Sequence, residues 1–138
     1  ELFKKALHHY MDNWHGKHPI PWDYFNSMNT GSGKNLNWFF NNWFYTNNYI
    51  DLKISFFSQK ENQTILTVDN VGGFAIPFDV VLNYEDNSLE KVHFTPAVWE
   101  KNQKSVNLRI PTKRKIKSIG LNGGIFMDYT PDDNLKML

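Results

Sequence analysis

The run Asn47-Asn48-Tyr49-Ile50-Asp51-Leu52-Lys53-Ile54-Ser55-Phe56 decides the fold. Ile50, Leu52, Ile54 and Phe56 alternate with Asp51, Lys53 and Ser55, a period of two that puts the apolar set on one face of an extended strand. Before this run the period is different. Leu2, Phe3, Ala6, Leu7, Tyr10, Met11 and Trp14 recur at three- and four-residue steps, the spacing of one stripe along a helix over Leu2–Trp14. Gly16 is suited to closing that helix, and Pro19 and Pro21 forbid its continuation. A second short helix begins at Pro21, with Asp23 near the positive end of its dipole, and Gly31 and Gly33 are expected to break it. Ser32 is a candidate N-cap for a third, in which Leu36, Phe39, Phe40, Trp43 and Phe44 occupy i, i+3, i+4, i+7 and i+8.

Working outward on the other side, strands are expected at 64–68, 78–84, 89–95, 106–110, 116–121 and 125–129. Turn clusters separate them at Lys60-Glu61-Asn62, Asn70 to Gly73, Glu85-Asp86-Asn87 and Asn122-Gly123-Gly124. The fold class is therefore mainly β with an N-terminal helical segment: three short helices, then an antiparallel immunoglobulin-like β-sandwich of about seven strands. The boundary falls near Thr46, giving a helical segment over 1–46 and a sandwich over 47–138. The inward face is expected to hold Ile50, Leu52, Ile54, Phe56, Val80, Leu82, Val106, Leu108 and Ile110.

Composition sets outer limits. A chain of 138 residues holds one domain of ordinary size, or a small domain with a helical appendage. Fifteen Lys and Arg against 14 Asp and Glu leave a net charge of +1, too little for a whole-molecule field that attracts polyanions, so nucleic acid is disfavoured as a partner. There is no cysteine, hence no disulfide, thiolate metal site or cysteine nucleophile. Aromatic residues make up 16%, enough for a real core despite a mean hydropathy of −0.54. Apolar runs such as Val80-Val81-Leu82 are far shorter than the roughly 20 residues of a membrane span. Glu1 opens inside a helical pattern with no leader-like layout, which reads as a piece cut from a longer protein.

Few residues carry chemistry. His8, His9, His15 and His18 crowd one end, but neighbours on a helix point about 100° apart and no H-E-x-x-H aligns two imidazoles. Surface or packing histidines outweigh a metal site. Asp128, Asp132 and Asp133 surround Pro131 with a density of oxygens that suggests calcium, yet the chemistry is equally that of a turn, and the turn carries more weight. Lys113-Arg114-Lys115 with Lys117 is expected at a solvated hairpin tip. Gly31-Ser32-Gly33-Lys34 lacks P-loop spacing and reads as a joint between helices.

The stretch Gly16-Lys17-His18-Pro19-Ile20-Pro21-Trp22-Asp23-Tyr24-Phe25, followed by Met28, Ser32-Gly33, Leu36, Trp38-Phe39-Phe40 and Trp43, resembles the end of the catalytic module in zinc aminopeptidases of the aminopeptidase N family. Asn70 to Gly72 with Pro77 is similar to a motif of that family's sandwich domain, and Asp128-x-x-Pro131-x-x-Asn134 to its closing turn. Gly16, Pro21, Asp23, Phe25, Gly33, Leu36, Phe39 and Trp43 are the structural residues that carry the resemblance. The Gly-x-Pro that several members place before the first strand is replaced here by Phe44-Tyr45-Thr46-Asn47-Asn48. The resemblance implies a zinc metallopeptidase parent whose H-E-x-x-H, substrate-amine motif and transition-state Tyr lie upstream of Glu1.

This chain is accordingly expected to be inactive alone, with no catalytic, cofactor or metal residue of its own, the zinc belonging to the absent module. Its partner would be the remainder of its own polypeptide, and peptide substrate would concern only the parent. Trp14, Trp22, Trp38 and Trp43 are expected to pack, and Trp43→Ala to cost more stability than Trp99→Ala. The competing reading is a carbohydrate-binding sandwich that uses Trp99, with Tyr84 and Tyr129, as a sugar platform. A fibronectin-like interaction domain accounts for the strands but not for the three aromatic helices.

Overall fold

The computed structural model describes all of residues 1–138, and the chain divides into two compact units, Glu1–Thr46 and Asn47–Leu138. The first holds three helices, α1 (Leu2–Trp14), α2 (Pro21–Ser32) and α3 (Asn37–Phe44). Gly16 (φ +70°) turns the chain out of α1, and Gly33 (φ +67°) is the left-handed cap of α2, its N–H bonded to the carbonyls of Asn29 and Thr30. At the start of α2, Pro21 spends no needed donor, and Asp23 Oδ2 accepts the Ile20 N–H at 2.9 Å while Asp23 N–H returns to the Ile20 carbonyl.

Gly31 does not break α2; it lies buried inside it, where α1 comes so close that a Cβ would sit 2.7 Å from the Ala6 Cα. Ser32 does not cap α3. Its hydroxyl donates to the Asn29 carbonyl and accepts the Lys34 N–H, whereas α3 starts after Leu36, whose N–H is taken by Asn29 Oδ1 at 2.8 Å.

The core of this unit is small: Ala6, Phe25, Met28 and Phe40, with Tyr24, Leu36 and Phe39 packed around them. Phe25 stacks on Phe40 with ring centroids 4.4 Å apart. Of the α1 stripe only Ala6 is buried, because close approach at Gly31 favours the smallest side chain. None of the four tryptophans expected to anchor packing is buried; Trp14, Trp38 and Trp43 are half-buried and Trp22 is exposed, its ring stacked on Tyr45.

The second unit has seven strands in two antiparallel sheets: β1 (Leu52–Lys60), β2 (Gln63–Asn70), β3 (Phe78–Tyr84), β4 (Leu89–Phe94), β5 (Ser105–Pro111), β6 (Ile116–Asn122) and β7 (Leu135–Met137). One sheet runs β1-β2-β5 and the other β4-β3-β6-β7, so the chain changes sheet after β2, β4 and β5. The arrangement is a sandwich, with the fourth strand placed beside the third instead of in the first sheet. Leu52, Ile54, Leu66, Val68, Val80, Leu82, Leu108 and Ile110 are buried, Ile50 and Val106 half-buried. Phe56 faces out, contrary to expectation, since a bulge between Ile54 and Phe56 inserts an unpaired Ser55 and shifts every later side chain by one position.

The expected strand at 125–129 is absent. Gly124 (φ +66°) turns the chain there, leaving Ile125, Met127 and Tyr129 exposed, and the last strand is the short β7 beside β6. Likewise, 112–115 is no hairpin tip but a crossing between sheets. No helix is long and apolar enough to cross a membrane.

Candidate functional site

The residues that carry the aminopeptidase resemblance are caps and packing groups in the helical unit. Gly16 and Gly33 end helices, Pro21 and Asp23 start one, Phe25 is buried, Leu36 precedes α3, and Phe39 and Trp43 lie half-buried with rings 6.0 Å apart. Asp23 alone among them is ionisable, and it is engaged as a helix cap.

Three ion pairs occur elsewhere, all at the surface. His93 Nδ1 lies 2.7 Å from Asp79 Oδ1 across the β3–β4 pair, exposed to solvent. Arg114 lies over the Tyr84 ring at 3.8 Å and donates to Glu90 Oε2, while Lys115 meets Glu85. Of the basic run, Arg114 and Lys115 thus have partners on the sandwich, and all four of its side chains are exposed. His8 is exposed on α1 beside Lys4, Lys5 and Asp12, whereas His9 is half-buried against α2 opposite Gly31.

One group of side chains does converge. Asp51, Asp128 and Asp133 each bring an oxygen within 4.8 Å of the others. Asp51 immediately precedes β1, held on one side by its carbonyl, which accepts the Val71 N–H at 2.8 Å and the Gly72 N–H at 3.1 Å. Gly72 permits this approach: a Cβ there would lie 2.3 Å from the Tyr49 carbonyl oxygen. Asn70 clamps the same turn, donating to the Phe74 carbonyl and accepting the Gly73 N–H.

On the other side runs the segment after β6. Tyr129 N–H donates to the Ile50 carbonyl at 2.8 Å, and Asp128 accepts the Leu52 N–H through Oδ2 and the Thr130 N–H through Oδ1, both at 2.9 Å. Asp133 follows in a single 3₁₀ turn, Pro131–Asn134.

The electrostatics of the group are unbalanced. Asp51 is only 4% exposed, and no ion pair reaches any of the three carboxylates. Its Oδ2 has a long contact of 3.5 Å to the Thr130 hydroxyl; its Oδ1 is buried with no hydrogen-bond partner. Asp133 Oδ1 and Asn134 Oδ1 are likewise buried and unpartnered. Burial, and then the neighbouring charges of Asp128 and Asp133, raise the Asp51 carboxyl above its ordinary value, and the Thr130 hydroxyl and Lys53 offset this in part.

Sequence reasoning found Asp128 and Asp133 but missed Asp51, and it included Asp132, which stays outside the group. No local signal marks Asp51: in the sequence it stands at a polar step of the alternation that leads into β1, and only the crossing of distant segments buries it.

The tryptophan expected to serve a sugar platform is inaccessible. Trp99 is fully buried, its indole N–H donating to the Ile76 carbonyl at 2.9 Å and its ring against Phe78.

A helical unit leading into a two-sheet sandwich has a counterpart among solved structures. A crystal structure of Legionella pneumophila aminopeptidase A in complex with aspartic acid matches with a TM-score of 0.58 over 88% of this chain, at 19% sequence identity. The chain spans 14% of that protein's length. No family model matches the sequence, and no curated protein matches it. The similarity is one of fold.

Proposed function

We propose that this chain is a non-catalytic portion of a zinc-dependent metallopeptidase of the aminopeptidase type, and that it supports a catalytic module lying outside it. The observation that carries the reading is the likeness of fold along 88% of the chain to part of an aminopeptidase. The motif running from Gly16 to Trp43 supports the same assignment, since its residues build helix ends and a small aromatic core. The helical unit also leaves Leu2, Phe3, Met11, Ile20, Trp22 and Phe44 exposed, an apolar surface of the kind that a larger module covers. A peptidase needs its zinc-bearing helices held rigidly, and packed aromatic layers supply such support.

The test compares this 138-residue chain with the full product of its gene on amino-acyl chromogenic substrates. Expected is no turnover by the chain alone and chelator-sensitive turnover by the full product, whose upstream sequence carries H-E-x-x-H. Chelator-sensitive aminopeptidase activity in the isolated chain, or a complete reading frame with no such motif, overturns the reading.

A further inference from the structure

We infer that Asp51, Asp128 and Asp133 form a calcium site that fastens the segment before β7 to the start of β1. The group holds buried acceptors that have no donors. Ionised carboxylates and amide oxygens only accept, and a buried acceptor left without a partner costs roughly 1 to 3 kcal/mol. Three such oxygens occur here, on Asp51, Asp133 and the adjacent Asn134, in a stretch otherwise dense with satisfied bonds. Asp51 is the decisive one, because it is 4% exposed, faces two other carboxylates and has no cation paired with it.

The donor set selects the ion. All candidate ligands are oxygens, which favours a hard cation over zinc or copper. Calcium binds oxygens at about 2.3 to 2.6 Å, so two ligands on opposite sides of one ion are about 5 Å apart, and the three oxygens here lie within 4.8 Å of each other. Asp128 and Asp133 are only half-buried, so an ion has a route in and room to keep water ligands, with Asp51 as the floor. The ligands come from opposite ends of the sandwich sequence, so the ion would act as a clasp between distant segments. The site is independent of the peptidase assignment.

The experiment uses the full 138-residue chain, stripped with EDTA and titrated with calcium chloride by calorimetry. Expected is one ion per chain with a dissociation constant on the order of 10⁻⁵ to 10⁻³ M, and a melting temperature about 5 °C higher in millimolar calcium than in EDTA. Asp51→Asn and Asp133→Asn keep the shape but remove a charge; each should weaken calcium binding about tenfold or more. Their melting temperatures in EDTA should match or exceed that of the parent, since like-charge repulsion is relieved. Asp132→Asn should bind calcium as the parent does. No saturable binding by the folded parent chain overturns the proposal, as does unchanged affinity in Asp51→Asn. Magnesium binding as tightly as calcium overturns the choice of ion.

Discussion

Trp99 shows how far a single side chain can govern this sandwich. It is fully buried at the end of a 3₁₀ turn, Pro96–Trp99, and both its ring and its indole N–H are engaged. Truncating a buried Trp to Ala costs about 3 to 5 kcal/mol, a large part of the roughly 5 to 15 kcal/mol that holds a domain together. Trp99→Ala should therefore melt far below the parent or fail to fold, whereas the half-buried Trp43→Ala should lose less, the reverse of the order expected from sequence. Paired thermal melts decide between them.

Tyr84 offers a test by pH. Its hydroxyl donates to Glu90 Oε2 at 2.8 Å and lies 3.1 Å from the Thr112 hydroxyl, and burial, the largest cause, raises its pKa above the usual 10. The folded chain thus holds this proton more tightly than the unfolded chain. Its contribution is complete below about pH 10 and falls as pH rises through the folded value. The stability advantage of the parent over Tyr84→Phe should be about 1 to 2 kcal/mol at neutral pH and shrink above pH 10 in denaturant titrations. A constant difference across that range would show that the phenol is not protected.

At the scale of elements, the contact between α1 and α2 depends on one missing side chain. In an open helix position Gly→Ala stabilises by about 1 kcal/mol, but at Gly31 the new methyl would meet Ala6 and His9 at 2.7 and 2.8 Å. Overpacking of this kind costs about 1 to 3 kcal/mol, so Gly31→Ala should lower the melting temperature, and a rise would mean that α1 yields freely. Sequence could not show this, because a glycine that ends a helix and one that admits a neighbour look alike. Elements with strong local signals were legible: α1 and β3 occupy the residues expected of them, since a helical stripe and a short apolar run bounded by turn residues need no tertiary partner to be read. The bulge at Ser55 and the loss of the strand at 125–129 were not, since both are set by pairing across the sheet and by the docking of Asp128 and Tyr129 onto β1. The acid group was half legible for the same reason: Asp128 and Asp133 lie close together in sequence, and Asp51 joins them only through topology.

The two units differ in how much core each owns. Glu1–Thr46 has four buried apolar side chains and no disulfide to compensate, and chains near 40 residues seldom bury enough surface to offset their backbone entropy. The sandwich has buried side chains on both facing sheets, including Leu66, Val68, Phe78, Val80, Leu82, Trp99 and Ile119. Expressed separately, residues 47–138 should give a cooperative thermal transition with a β-type circular dichroism spectrum. Residues 1–46 should show weak helicity without a cooperative melt, or should associate through exposed Phe3, Trp22 and Phe44. Circular dichroism and sedimentation of the two pieces read both outcomes. A cooperative, monomeric melt of 1–46 would mean that its aromatic core suffices by itself, which removes the physical ground for assigning it to a larger helical module.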